Sequence, residues 1–308
     1  MSVIKVNNIT NRDGTSGPVI AGITTVSTTS HMVVPTGDTR NRDPEIITSG
    51  LTFHIDAGIS SSYPGAGVTV ANIGSAGLAY TGTWQGTSST GSPVIYSREG
   101  GGSWFLEGNS TTIGNNNYLR VIGAGGTSGA GIGNTTALGV GSSLTVSIWH
   151  YPVRLSGSGD AQFMIFSNHY QGGPGPTSGL ILTSPDGSYI RFQTRFNNTC
   201  CQTQDSSTGY IYSGWQNWTA TWDGSTKRIY LNGNEIAATQ SASGTNDMLN
   251  ALYFGVNGGT HAASGDSASD SLAYRGYLSK VMIYSRAITE TEIYQNYAAV
   301  KSRYAGIK

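Results

Sequence analysis

The stretch TWDGSTKRIYLNGNEI, Thr221 to Ile236, places a turn signal on each side of a short run with strand composition. Its Asp-Gly and Asn-Gly pairs, at 223–224 and 232–233, enter positive-φ turns at little cost, because glycine has no Cβ and Asp or Asn tolerates the left-handed region. We therefore predict an antiparallel meander within one sheet. Its three strands are predicted at residues 215–222, 227–231 and 235–237.

The composition of the whole chain favours strands and turns over helices. The 308 residues include 44 glycines and 17 tyrosines, and only 11% of them are charged. Between residues 50 and 284, short runs rich in aromatic and β-branched residues follow one another, separated by Gly, Ser, Asn or Asp clusters. Many short strands without an intervening helical pattern are typical of a β-sandwich. The predicted fold class is therefore all-β.

One of these runs, LTVSIWHYPV at residues 144–153, alternates clearly enough to assign its two faces. Successive side chains of a strand point to opposite faces, so one set is expected to be core and the other more open to solvent. The predicted core set is Leu144, Val146 and Ile148, and the more open set is Thr145, Ser147 and Trp149.

The two ends of the chain depart from the strand pattern. Residues 1–48 are polar with only short strand-like fragments, so we expect an extended arm and linker that docks on another structure. The sandwich domain is predicted to span residues 49–308. Near its end, Thr289 is followed three residues later by Glu292, the pattern of a capping box at a helix start. A short amphipathic C-terminal helix is predicted over residues 290–302.

Charge, hydropathy and cysteine use exclude several classes of protein. The formal net charge is zero and no run of Lys or Arg is present, so nucleic acid is not an expected partner. No apolar stretch is long enough for a membrane span, and we expect no secretory signal. Cys200 and Cys201 are adjacent, which disfavours a disulfide and does not fit a C-x-x-C metal site. Their expected role is as small residues of a strand or loop.

Motifs of the common hydrolases are missing from the sequence. Acid–base catalysis needs two carboxylates held near one bond, and the acidic residues here are few and scattered. No E-x-D-x-x-E run, H-E-x-x-H helix or G-x-S-x-G elbow is present. The protein is therefore predicted not to be an enzyme, with a polysaccharide-degrading enzyme on the same fold kept as a further hypothesis.

Tryptophans offer the clearest candidates for ligand binding, because an aromatic face can pack against the apolar face of a sugar ring. Trp218 and Trp222 share the alternation of a core strand and are predicted to be core residues. Trp84, in the run YTGTWQGTSS, is predicted to lie in an exposed loop. Together with His169 and Tyr170 of the glycine-rich loop NHYQGGPGP, it forms the candidate site for a glycan or a protein.

A candidate metal site lies in the loop that contains Asp266 and Asp270. The two carboxylates could supply oxygen ligands to Ca²⁺, although the loop has fewer carboxylates than an EF-hand. A solvated loop is the alternative, and no other cofactor is expected.

Several motifs, in this order along the chain, resemble a concanavalin A-like, laminin-G-type jelly roll. They are GLTFHIDAG from residue 50, SLTVSIWHYP from 143, WQNWTATWDGSTKRIYLNGNEI from 215, LYFGVNGG from 252 and YRGYLSKVMIYSRAITETEI from 274. The resemblance covers nearly all of residues 50–305 and implies a binding module for sugars, proteins or Ca²⁺. Asp56 keeps an acidic residue of the family pattern, whereas Asn72 stands where a further acidic residue is common and Leu278-Ser279-Lys280 stands where an acidic pair is common. These departures disfavour an inherited calcium site.

The N-terminal stretch IKVNNITNRDGTSGPVIAGITTVSTTSHMVVPTG, residues 4–37, resembles a short leader shared by several virion proteins of tailed bacteriophages of marine cyanobacteria. This resemblance implies a virion protein on the tail or head surface, with the arm bound to other virion proteins and the jelly roll projecting outward. The favoured function is a tail-fibre or baseplate-associated adhesin that binds host surface glycan. The alternative is a head or tail decoration (cement) protein. A homo-oligomer is expected, with a trimer favoured.

Overall fold

The computed structural model describes a defined part of the chain. The described residues are 45–86, 88–108, 117–123, 138–139, 141–153, 163–167, 179–184, 189–196, 199–207, 214–240, 251–256 and 273–305. All of them belong to the second of the two units into which the chain divides, Asp43–Lys308. Residues 1–44 of the predicted arm lie outside the described residues, so the arm and its boundary at residue 48 stay predictions.

The described residues form two antiparallel sheets that pack face to face. In chain order the strands are β1 (Leu51–Asp56), β2 (Thr69–Val70), β3 (Gly82–Gly86), β4 (Tyr96–Ser97), β5 (Ser103–Glu107), β6 (Asn117–Val121), β7 (Leu144–Pro152), β8 (Phe163–Ser167), β9 (Gly179–Ser184), β10 (Arg191–Phe196), β11 (Thr199–Asp205), β12 (Gln216–Trp222), β13 (Thr226–Leu231), β14 (Asn234–Gln240), β15 (Leu252–Phe254) and β16 (Arg275–Tyr284). Short 3₁₀ turns cover Gly77–Tyr80 and Glu99–Gly101, and one α-helix, α1, covers Glu290–Tyr304.

Each sheet has eight strands in the described part of the chain. The first has the order β14-β13-β12-β7-β16-β5-β4, with β1 also paired to β16, and the second has the order β11-β10-β9-β8-β15-β6-β3-β2. Aromatic rings from both sheets meet in the core, where Phe53 stacks on Phe254 with ring centroids 6.0 Å apart. Trp218 and Trp222 are fully buried, which confirms their predicted core role. The predicted all-β sandwich with a short C-terminal helix is confirmed.

The stretch from Thr221 to Ile236 forms the predicted meander of β12, β13 and β14. At its first turn, the Asp223 carboxylate accepts hydrogen bonds from the backbone N–H groups of Ser225 and Thr226. At its second turn, Asn232 and Gly233 both have positive φ, 52° and 83°. The two dipeptides therefore act as turn formers, for the reason that the sequence predicts. The adjacent cysteines lie in β11, as a strand or loop role predicts.

The prediction that β7 has a more open face is wrong. Thr145, Ser147 and Trp149 are as well buried as the core set of the same strand. The reason is that the C-terminal segment covers this face. The Thr145 hydroxyl donates to the carbonyl of Arg286 and accepts from the backbone N–H of Ile288. We call this side of the first sheet the outer face.

The helix α1 begins where the capping box predicts and ends two residues beyond the predicted end. Thr289 Oγ1 accepts from the backbone N–H of Glu292, and the Glu292 carboxylate accepts from the backbone N–H of Thr289. One helix side packs on the outer face, where Asn296 Nδ2 donates to the Tyr284 hydroxyl. Asn296 Oδ1 also accepts from the backbone N–H of Ile47, which fixes the start of the described chain against the helix.

Within the described residues, no helix combines the length and the apolar character that crossing a membrane requires.

Candidate functional site

Trp84 is a core residue, so the expectation that it lies in an exposed loop is wrong. It lies in β3, where the strand alternation turns its ring inward. Its side chain is only 2% exposed, and its ring centroid lies 5.7 Å from that of Trp104. A ring in this position cannot stack on a sugar from solvent. The other predicted site residues, His169, Tyr170, Asp266 and Asp270, lie outside the described residues.

A buried charge cluster lies beneath the last turn of α1, on the outer face. Asp56 is fully buried, and its carboxylate accepts hydrogen bonds from Arg303 Nη1 at 2.7 and 2.8 Å. Lys280 Nζ lies 3.0 Å from Asp56 Oδ2. Arg303 also donates to the carbonyls of Gly100 and Gly102. The cluster therefore ties the end of the helix to two strands and a turn.

The hydroxyl group of Ser279 connects this cluster to the ring of Tyr304, the last residue of α1. Ser279 Oγ accepts from Arg303 Nη2 at 2.9 Å and from the Tyr304 hydroxyl at 3.0 Å. It donates to the carbonyl of Gly102 at 2.7 Å. These bonds hold the Tyr304 ring at a fixed position on the outer face.

The ionisation of the cluster follows from burial and from its two cations. Burial raises the pKa of Asp56, but the nearby charges of Lys280 and Arg303 more than offset this and the pKa is lowered overall. Burial also lowers the pKa of Lys280. Because two cations already bind the one carboxylate, Asp56 is not available as a calcium ligand.

The described residues contain no group of three or more His, Cys, Asp or Glu side chains that could hold a metal ion.

A groove with aromatic walls lies beside the cluster, between the end of α1 and the first sheet. It encloses about 430 Å³. We call it the aromatic groove. Its lining residues are Trp149, Trp215, Asn232, Tyr297, Lys301, Ser302, Tyr304 and Ala305.

The four rings of the aromatic groove form a chain of contacts from Trp215 through Tyr304 and Trp149 to Tyr297. Trp149 and Tyr304 stack nearly parallel with centroids 4.1 Å apart, and both are buried. Tyr297 lies parallel to Trp149 at 5.6 Å, and Trp215 lies 5.0 Å from Tyr304. Tyr297 and Trp215 are only partly buried. The buried pair therefore forms the base of the groove, and the other two rings remain partly accessible.

Two glycines allow the accessible rings to approach the backbone. Gly100 has φ +62°, and a Cβ at this position would lie 2.6 Å from Cζ2 of Trp215. Gly233 has φ +83°, and its Cβ would lie 3.1 Å from the Tyr297 side chain. Both positions combine positive φ with a close ring contact, so larger residues would be strained there.

Polar groups lie among the rings of the groove. Lys301 Nζ lies 5.7 Å from the Tyr297 ring centroid, within cation–π range. Asn232 Oδ1 accepts from the backbone N–H of Asn217, which fixes the amide orientation. The indole nitrogens of Trp149 and Trp215 have no hydrogen-bond partner in the described part of the chain. The indole nitrogens are buried, so the polar groups that the groove offers to a ligand are the Lys301 ammonium and the Asn232 amide.

The sequence contains a signal for Trp215 that the sequence reasoning missed. Trp218 and Trp222 lie on the core side of β12, and Trp215 has the opposite parity, so it points to the outer face. Trp149 likewise has the opposite parity to the core residue Ile148. Strand alternation therefore separates Trp149 and Trp215 from the core tryptophans. It does not reveal that both side chains line the same groove.

Comparison with known proteins identifies the family of the chain. The profile of a laminin-G-type family, described as the concanavalin A-like lectin/glucanases superfamily, matches residues 123–294, more than half of the chain. The chain belongs to this superfamily. No curated protein sequence matches it.

Solved structures share the fold of this chain at low sequence identity. The binding domain of Paraclostridial Mosquitocidal Protein 1 is 15% identical, with a TM-score of 0.53 over 80% of this chain and 52% of that one. The Botulinum Neurotoxin serotype G binding domain is 13% identical, with a TM-score of 0.53 over 80% and 50%. The binding domain of Botulinum Neurotoxin DC in complex with SialylT is 11% identical, with a TM-score of 0.51 over 82% and 52%. This superfamily member therefore spans about half the length of these structures, and the likeness concerns the fold.

Proposed function

We propose that this chain is a non-enzymatic binding protein that holds a glycan in the aromatic groove and serves host attachment on a tailed bacteriophage. The observation that carries the glycan proposal is the groove itself, in which the accessible rings of Trp215 and Tyr297 lie over a buried aromatic base.

The chemistry of a sugar matches that of the groove. A pyranose ring has apolar C–H faces and a rim of hydroxyl groups, so it binds where an aromatic face lies next to a few hydrogen-bonding groups. Trp215 and Tyr297 supply the faces, and Lys301 and Asn232 supply polar groups at the edge. The Asp56 cluster fixes Tyr304, so the base is preorganised for binding.

The structural comparisons support a binding role. The similar solved structures are titled as binding domains, and one of them is titled as a complex with SialylT. A binding function of proteins that share this fold is consistent with a glycan ligand for this chain.

The phage role rests on the resemblance of residues 4–37 to a virion leader. In this proposal the arm binds other virion proteins and the sandwich projects from a tail fibre or baseplate, with three copies associating as a trimer. Immunogold labelling of intact virions is expected to place the protein at the tail tip or fibres. Gold over the head or along the tail tube would favour the decoration-protein alternative, and a monomeric mass for the full-length protein would contradict the trimer.

Glycan binding is tested with the full-length protein on an array of bacterial envelope polysaccharides. We expect binding to at least one of them, and Trp215→Ala is expected to weaken it roughly tenfold, because the accessible stacking surface is lost. The matched control is Tyr294→Ala, which removes an exposed ring of α1 that does not line the groove. Absence of binding, or equal binding by the Trp215 variant, would contradict the proposal. New reducing ends from a bound polysaccharide would contradict its non-enzymatic part.

A further inference from the structure

An aromatic row crosses the first sheet and starts at Trp215, which also lines the aromatic groove. We define the aromatic row as Phe105 of β5, Tyr277 of β16, Tyr151 of β7 and Trp215, which directly precedes β12. Tyr277 is paired in register with both Phe105 and Tyr151. Register partners point to the same face of a sheet. Trp215 lies beside Tyr151, because the next residue pairs with His150.

Contacts between the rings make the row continuous. The centroid distances are 4.8 Å from Phe105 to Tyr277, 6.1 Å from Tyr277 to Tyr151 and 6.0 Å from Tyr151 to Trp215. All four residues are partly buried. With neighbouring strands about 4.8 Å apart, four strands give a row roughly 14 Å long. Because Trp215 also lines the groove, the row extends the groove across the sheet.

Polar groups accompany the rings of the row. The hydroxyl groups of Tyr151 and Tyr277 have no hydrogen bond to any group in the described part of the chain. At the far end, the Arg275 guanidinium lies 5.3 Å from the Phe105 ring centroid. Aromatic faces with available hydroxyl groups and an arginine match the alternating C–H and hydroxyl surface of a sugar chain.

We propose that the aromatic row and the aromatic groove together hold an extended glycan, several sugar rings long, instead of a single terminal sugar. This inference rests on the proposed function, because it assumes that the groove binds a glycan. The chain of sugars runs across the strands from the groove over Trp215 and Tyr277 towards Phe105.

The length of the ligand is tested with the envelope polysaccharides of the array, printed intact and as size-fractionated hydrolysis products. Fractions of one or two sugar rings reach only the groove, whereas fractions of six or more also reach the row. We expect affinity to increase with length. Phe105→Ala is expected to weaken binding of the long fractions roughly fivefold without changing that of the short ones, and Trp215→Ala to weaken both.

The matched control for Phe105 is Tyr189→Ala, since the Arg191 guanidinium lies 5.2 Å from the Tyr189 ring centroid, a similar cation–π contact on the other sheet. Equal affinity for short and long fractions, together with no effect of Phe105→Ala, would overturn the inference and leave the proposed function intact. No binding of any fraction or intact polysaccharide would overturn both. Self-association of the free protein that Phe105→Ala abolishes would assign the row to a second copy of the chain and overturn the inference.

Discussion

At the residue scale, Asp56 determines how the end of α1 is held on the sandwich. Its carboxylate is fully buried and lies between Lys280 and Arg303, two cations for one anion. Arg303 also donates hydrogen bonds to the carbonyls of Gly100 and Gly102, which give its guanidinium further partners in the buried site. A buried carboxylate in this position lowers the energy of both cations, so its loss affects more than one pair.

We predict that Asp56→Asn lowers the free energy of unfolding by about 3–5 kcal/mol, because it leaves Lys280 and Arg303 uncompensated in a buried site. The matched control is Asp205→Asn, which breaks the exposed pair with Arg191 and is expected to cost less than about 1 kcal/mol. Urea unfolding of both variants measures the difference. Equal losses in the two variants would show that the Asp56 cluster does not stabilise the fold.

The stability of the protein is predicted to decrease in mild acid because of His54. Burial lowers its pKa from 6.5 to about 4, and the charge of Lys280 contributes in the same direction. Between these pH values the unfolded chain binds a proton at this site and the folded chain does not. The free energy of unfolding therefore falls as the pH falls through this window, by on the order of 3 kcal/mol.

Urea unfolding between about pH 7 and pH 4 measures this dependence. His54→Gln is expected to reduce the slope, and part of it is expected to remain because burial lowers the pKa of His150 to about 3. An unchanged slope in His54→Gln would rule out His54 as a source of the acid sensitivity.

At the element scale, α1 depends on local signals at its start. Glu292 closes the capping box with Thr289 and also accepts two hydrogen bonds from the Arg286 guanidinium. These bonds lower the pKa of Glu292 to about 2, the guanidinium contributing most. The carboxylate therefore stays ionised near the helix N-terminus, where a negative charge is favourable.

We predict that Thr289→Ala lowers the free energy of unfolding by about 1 kcal/mol, because the backbone N–H of Glu292 loses its cap. Thr291→Ala is the control, since this exposed residue lies within the helix and alanine has the higher helix propensity. Thermal or urea unfolding of the two variants is the measurement. A similar loss in both would contradict a specific capping role.

Most of the strands and the helix could be predicted, because their signals are local. The turn dipeptides before and after β13 and the Thr289–Glu292 pair specify their structures within a few residues. The burial of the second face of β7 could not be predicted in this way. Trp149 is covered by Tyr297 and Tyr304, which follow it at a long distance in sequence, and alternation reports only that two faces exist.

At the scale of the whole molecule, the aromatic groove depends on the packing of separate segments. It joins residues of β7, the residue before β12, the turn after β13 and the last turns of α1. Trp149, Trp215 and the last turns of α1 lie far apart in the sequence, so the sequence indicates aromatic residues without showing which of them meet. Trp84 illustrates the converse, since a tryptophan in a glycine-rich run resembles an exposed loop residue until the sheet places it in the core.

The central claim, that a glycan binds in the aromatic groove, is tested most directly by a crystal structure. The full-length protein would be crystallised with an oligosaccharide from the polysaccharide that it binds most tightly. Our account predicts one sugar ring against Trp215 and Tyr297, with the next rings directed over Tyr277. A sugar bound elsewhere, such as at His169 and Tyr170 or on the second sheet, with the groove empty, would contradict the account.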